Sequence, residues 1–190
     1  MKERAVMNRE ARLRAELVAA GERLFRTGLI RGGEGNFSAR LDAERFLLTP
    51  RGWCKGYLTA GDLLRVPLVG ALPVQASSEG LLHQEILQRH QDVAAVLHAH
   101  PPNLLRAMRS GCALHPQALY EAQWLQVASV PEHPPGSASL AAEVAEAVGT
   151  ACLVLLPRHG VVAVGGSVAE ALWRLETAEL LAFVLGKASP

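Results

Sequence analysis

Cys152-Leu-Val-Leu-Leu156, Pro157-Arg-His-Gly160, Val161-Val-Ala-Val164 is the stretch that decides how the 190-residue chain folds. Two apolar runs of strand length are interrupted by four turn-forming residues. Short runs rich in Val and Leu and bounded by Pro and Gly read as buried strands. On the N-terminal side, Ser137 opens a helix with Leu140, Val144 and Val148 on one face, and Gly149 ends it. On the C-terminal side, Ser167 and Glu170 have the spacing of a capping box. The helix they start buries Leu172, Leu175, Ala178 and Ala182 and stops at Gly186.

Further upstream the same alternation of strands and helices continues. Val93 to His100 is an apolar run of strand length. Pro101 and Pro102 then open a helix, as proline can where the first turn needs no N–H, and it stops near Gly111. Ser77 and Ser78 precede a helix from Glu79 to about His90, with Ser78 the expected N-cap. Phe37 to Leu41 and Phe46 to Thr49 flank Asp42-Ala-Glu-Arg45 and predict a hairpin, and a further strand runs from Leu64 to Val69. A first helix spans about residues 9–28, with Leu13, Leu17, Val18, Leu24 and Phe25 at helical spacing and Gly28 as its stop. Hairpins mixed with helices predict α/β layers, a central and largely antiparallel sheet covered by helices, in a single domain over residues 1–190.

Composition narrows the function classes. Hydrophobic residues are 49% and charged residues 19%, a globular balance rather than a disordered one. The formal net charge of +1 gives no basic field for nucleic acid. No apolar run approaches the roughly 20 residues that cross a bilayer, and MKERAVMNRE lacks a secretory apolar region, so no membrane role and a cytoplasmic location are expected. Cys54, Cys112 and Cys152 form no CxxC pair, so neither a disulfide framework nor a zinc ribbon is indicated. GGEGN precedes a strand instead of opening a helix, and GxxxxGK[ST] is absent, so neither nucleotide fingerprint is present.

The chemistry concentrates in a few residues. His98-Ala99-His100 ends a strand, and alternation sends both imidazoles to one face. Neutral imidazole is a preferred ligand of zinc and its neighbours; the bland alternative is one core and one surface histidine. His159, in a turn between buried strands, is placed to supply a third imidazole at a sheet end and leave a coordination position open. Glu79 at a helix N-terminus is either dipole stabilisation or a proton-moving carboxylate. Ser77 and Ser78 beside the helix N–H groups suit a phosphate, and the Gly35-Asn36 and Arg51-Gly52 loops can add N–H groups and a cationic fork. His83, His90, His115 and His133 lack such spacing and read as surface or core residues. Trp53, Trp124 and Trp173 read as core or subunit contacts.

In order, GEGNFSARL, FLLTPRGW, SSEGLLHQEIL, DVAAVLHAHPP and LLPRHGVVAVG resemble the class II aldolase/adducin family, and within it the branch of L-fuculose-1-phosphate aldolases, over about residues 10–186. The resemblance implies a homotetramer, a small-molecule sugar phosphate as substrate, and Zn2+ or another divalent metal as cofactor. It assigns His98, His100 and His159 to the metal. Glu79 becomes the catalytic glutamate, able also to occupy a metal position. Gly35, Asn36, Arg51, Gly52, Ser77 and Ser78 become the phosphate-binding set. The implied reaction is cleavage of a ketose 1-phosphate to dihydroxyacetone phosphate and an aldehyde. Methylthioribulose-1-phosphate dehydratase is the alternative, since Lys55-Gly-Tyr-Leu-Thr59 and Asp62-Leu-Leu64 lean that way, and a pentulose-phosphate 4-epimerase is a third. Non-catalytic adducin-like modules share the fold, but they do not need three histidines and Glu79 together. The family's aldolases also use tyrosine hydroxyls. The terminal LGKASP contains none, and Tyr120 is the candidate replacement elsewhere.

Overall fold

A computed structural model describes residues 2–186 of the chain. Its elements in order are α1 (Lys2–Arg26), β1 (Asn36–Arg40), β2 (Arg45–Leu48), β3 (Leu64–Pro67), α2 (Gly80–Arg89), β4 (Ala95–Ala99), α3 (Pro102–Arg109), β5 (Val127–Ser129), α4 (Ala138–Val148), β6 (Leu153–Leu156), β7 (Gly160–Gly165) and α5 (Val168–Gly186). The strands form one seven-stranded sheet in the order β3-β2-β1-β4-β7-β6-β5. Every neighbouring pair is antiparallel except β5 with β6. The expectation of a largely antiparallel sheet between helical layers is borne out.

The two middle strands, β4 and β7, are buried along their whole length. Strands covered on both faces need apolar residues at nearly every position, and both runs supply them. Alternation along β1 shows the two layers. Asn36 and Ser38 bond to His83 of α2 on one face, while Phe37 lies against Gly21 of α1 on the other. α1 and α3 both pack on α5, and α2 packs on α4. Leu13, Leu17, Ala20 and Leu24 of α1, in steps of three and four, join the same continuous core as Leu175, Ala178 and Ala182 of α5.

Helix ends follow the sequence with instructive exceptions. α1 closes with Gly28 N–H on the Phe25 carbonyl (3.1 Å) and Leu29 N–H on the Leu24 carbonyl (2.9 Å), so the Gly28 stop holds. Ser137 caps α4 by accepting the Leu140 N–H. At α5, Ser167 accepts the Glu170 N–H (3.1 Å), but the Glu170 carboxylate takes the Gly166 N–H instead of closing the expected box on Ser167. At α2, Ser78 is not the N-cap. Glu79 occupies that position and makes no capping bond with its side chain, because its carboxylate turns into the histidine cluster described below.

The strand β5 has no counterpart in the sequence pattern. At three residues, between short 3-10 turns at Pro116–Ala118 and Tyr120–Ala122 and the helix α4, it offers too little periodicity to read. It is held by its parallel register with β6, Val127 opposite Leu153, which only the folded chain supplies. No helix among the described residues is long and apolar enough to cross a membrane.

Candidate metal centre

Register brings the chemistry together. Asn36 of β1 pairs with His98 of β4, and His98 pairs with Val162 of β7. Residues directly opposite one another share a face, so the three side chains stand in a row across the middle of the sheet. His100 follows His98 two residues on, at the strand's end. His159 sits in the turn immediately before β7, directly after Arg158. Arg158 has φ 59°, the only positive φ outside glycine among the described residues. Backbone strain of this kind gathers at functional sites, where the surroundings fix a side chain in place.

The result is a three-imidazole cluster whose candidate ligand nitrogens all lie within 4.8 Å of one another. Ring centroids are 4.8–5.3 Å apart, and His98 Nε2 and His100 Nε2 approach to 3.1 Å. A tetrahedral zinc ion with bonds of about 2.0–2.1 Å holds its ligand nitrogens roughly 3.3 Å apart, so the cluster has the scale of such a site. His98 Nδ1 donates to the Val161 carbonyl (3.0 Å), which leaves the Nε2 lone pair turned inward. Burial first, then the charge of neighbouring histidines, pushes His100 down to about 4, and burial and His98 likewise lower His159. Both imidazoles are therefore neutral at pH 7, the form that binds metal.

Glu79 completes the set. Its Oε2 lies 3.2 Å from His98 Nε2 and its Oε1 3.3 Å from His159 Nε2. Burial alone would raise this carboxyl. His98 and His159, when protonated, and the Asn36 hydrogen bond outweigh it and hold Glu79 well below the usual carboxylate range. Oε1 is buried without a hydrogen-bond partner of acceptable geometry, as is His159 Nδ1. Buried orphan acceptors are rare, and here the orphan faces a ready-made ligand set.

Behind Glu79 runs a chain of buried polar groups. Asn36 Nδ2 donates to Glu79 Oε2 (2.9 Å), so Asn36 Oδ1 must accept, and it does so from His83 Nε2 (2.5 Å). A neutral His83 then has only Nδ1 left as acceptor, and the Ser38 hydroxyl donates there (2.7 Å). His83 is fully buried, and burial pushes it down to about 3, which keeps it neutral. All donors in the chain point the same way, toward the carboxylate. His83 is thus a site residue that its isolated spacing among the histidines does not mark. It lies four residues after Glu79, one helical turn along the same face, and that spacing is the signal the sequence does hold.

The remaining expected positions fall in three loops beside this cluster. Gly35 has φ 72°, and a Cβ there would meet the His98 carbonyl at 2.7 Å, so the loop presses against β4. Asn36 is buried, and its side chain serves Glu79 and His83 instead of facing outward as a phosphate ligand would. Arg51 N–H donates to the Gln75 carbonyl (2.9 Å), and Pro50 bridges Ala76, which ties the Arg51-Gly52 turn to the Ser77-Ser78 segment. Ser77 is buried, with Oγ 3.4 Å from the Glu79 N–H it accepts, while Ser78, Arg51 and Gly52 are exposed. Tyr120 is 81% exposed on a 3-10 turn, not buried beside the histidines. Of LGKASP, residues 187–190 lie outside the described residues. The tryptophans are 41–67% exposed, so none is a core residue. A surface concavity bordered by Arg9, Arg40, Asp42 and Gln88 lies apart from these residues.

The model of the family described as Class II Aldolase and Adducin N-terminal domain matches residues 15–185. The chain belongs to the class II aldolase/adducin family. Within this enzymatic superfamily it is 31% identical to a 3-oxo-tetronate 4-phosphate decarboxylase of Cupriavidus necator, over 91% of this chain and 83% of the relative. It is 33% identical to a methylthioribulose-1-phosphate dehydratase of Gluconacetobacter diazotrophicus, over 87% and 88%. The crystal structure of L-fuculose-1-phosphate aldolase from Thermus thermophilus superposes with a TM-score of 0.85 at 35% identity, covering 95% of this chain and 98% of that one.

One glycine of the class II aldolase/adducin motifs has a clear physical reason here. A Cβ on Gly160 would stand 2.5 Å from the Ala99 carbonyl, 2.6 Å from His100 Cδ2 and 2.9 Å from His98 Cε1. Gly160→Ala is expected to displace two imidazoles together and weaken metal binding by at least about 10–100-fold, the cost usual for disturbing the shell around ligands. Competition with a chromogenic chelator measures this, and unchanged affinity in a folded variant would contradict it.

Proposed function

We propose that this protein is a metal-dependent lyase that cleaves a ketose 1-phosphate, with L-fuculose 1-phosphate as the reference substrate, to dihydroxyacetone phosphate and an aldehyde. His98, His100 and His159 would hold the divalent cation, zinc in the first instance. Bound there, the cation supplies Lewis-acid stabilisation of the negative charge that develops on the substrate oxygens. The observation that carries the reading is the placement of Glu79, with one oxygen anchored by Asn36 and the other free of hydrogen bonds beside His159.

In the cleavage direction, the carbon–carbon bond breaks as the substrate hydroxyl loses its proton and becomes the aldehyde. The electron pair passes to the enediolate of the three-carbon fragment. Glu79, ionised at the start, takes that hydroxyl proton through Oε1 and delivers it to the fragment's carbon, and both transfers run backwards in the reverse direction. Gly35, Arg51, Gly52, Ser77 and Ser78 would hold the phosphate and so fix the reacting carbon, with Asn36 anchoring Glu79 beside them. A cytoplasmic homotetramer belongs to the same reading. Three free cysteines and the exposed Trp53, Tyr57 and Trp124 support it.

A second reading, decarboxylation of a phosphorylated 3-oxo acid, is favoured by the Cupriavidus relative, because loss of CO2 from such an acid leaves the same kind of enolate for Glu79 to protonate. One experiment separates them. Zinc-loaded protein is incubated with L-fuculose 1-phosphate, 3-oxo-tetronate 4-phosphate or methylthioribulose 1-phosphate, with chelator-treated controls. Chelator-sensitive dihydroxyacetone phosphate is the expected result. CO2 release or dehydration without it would move the function to the decarboxylase or dehydratase branch, and no turnover of any substrate would overturn the lyase reading.

A further inference from the structure

Three of the chain's 19 basic residues are lysines, Lys2, Lys55 and Lys187; all the rest are arginines. Lys55 is only 2% exposed, in the 3-10 turn Lys55–Tyr57 that packs against α1. Its Nζ donates to the Trp53 carbonyl (2.8 Å) and to the Gly33 carbonyl (3.0 Å). Those carbonyls belong to two different loops, the one that leads into Gly35 and Asn36 and the one that contains Arg51 and Gly52. Among the described residues no carboxylate forms an ion pair with it.

Two features need a physical account. A compact ammonium with three divergent donors can satisfy two carbonyls from separate loops, which a flat guanidinium fork would do poorly, so lysine suits this position. A buried cation without a counter-charge is costly, and burial lowers the Lys55 pKa accordingly. An anion bound on the outer side of the same two loops would relieve that cost.

We propose that Lys55 is the positioning residue of an anion site between the 32–36 and 51–53 loops, locking the two turns together and supplying the positive charge behind a bound phosphate. The inference rests on the phosphate-binding reading above and deepens it. Lys55 does not touch the metal cluster, so its effect falls on phosphate recognition and leaves metal loading alone.

The test uses the metal-loaded protein, Lys55→Met and inorganic phosphate as the probe. Met keeps the unbranched aliphatic stem to within one atom and removes the charge and donors. Wild type is expected to bind phosphate by calorimetry. The variant should bind it about tenfold or more weakly, with a matching rise in KM for the phosphorylated substrate, kcat within about threefold and unchanged metal content. A purely structural clamp would lower the melting temperature and leave phosphate affinity alone; phosphate binding within twofold of wild type would overturn the proposal. A second measurement needs no variant. With only three lysines, the protected Lys55 ammonium resonance of 15N-lysine-labelled wild type is distinguishable from the two near the chain ends. It should shift saturably as phosphate is added, and a resonance that stays put while calorimetry shows binding would overturn the role of Lys55. If wild type binds no phosphate at all, the phosphate site itself is wrong, a distinct failure.

Discussion

Glu79→Gln is expected to lower kcat by about 10²–10⁴-fold while metal content and fold are retained, the usual loss when a positioned proton-transfer group is removed. The substitution keeps the shape and removes only the ionisable oxygen. The chain from Ser38 through His83 and Asn36 makes the test sharp. Asn36 presents an N–H to this side chain, so the carbonyl oxygen of the new amide must face Asn36. The amide nitrogen must then lie where Oε1 now sits, 3.3 Å from His159 Nε2. The working position carries a group that cannot accept a proton. KM should change little, because the phosphate loops are untouched. Full activity from a folded, metal-loaded variant would remove Glu79 from the acid/base role.

His98→Ala is expected to abolish activity by weakening metal binding more than about 100-fold, beyond what disturbance of an outer partner costs. His98 is fully buried, faces both His100 and Glu79, and has its tautomer set by the Val161 carbonyl. Its loss also removes the Nδ1 hydrogen bond to that carbonyl, at a cost of about 0.5–1.5 kcal/mol in stability. His115→Ala, at an exposed position, is the control and should change neither property. Metal content after dialysis, together with a thermal melt, decides the matter. A variant that holds its metal as tightly as wild type would show that the histidine triad is not the ligand set.

The sequence is legible where one residue's neighbours along the chain are also its neighbours in space. His98 and His100 are two apart on a strand, so their shared face follows from alternation alone. The hairpin around Asp42, the Gly28 stop and the Ser137 cap are equally local. What cannot be read depends on long-range pairing. His83 looks idle in the sequence because Ser38 and Asn36, its partners, reach it from 45 and 47 residues away. Ser78 looks like an N-cap because the pull of the histidines on Glu79 is invisible in one dimension. The strand β5 exists only because β6 lies beside it. Lys55 enters the sequence reading only as the first residue of a dehydratase-like stretch; what marks it as distinctive is burial, which composition does not disclose.

The position of β7 beside β4 at the centre of the sheet sets when the histidine cluster can be completed as the chain is made. His98 and the Val161 carbonyl that sets its tautomer are 63 residues apart, and His159 belongs to the same late segment. A nascent chain that has released β1 to β4 from the ribosome displays a histidine pair with its carboxylate, but no third imidazole and no partner for His98 Nδ1. On the proposed metal-binding reading, completion of the three-imidazole set waits until β7 has emerged and zipped onto β4. A chain truncated before residue 159 would lack the third imidazole of the proposed ligand set.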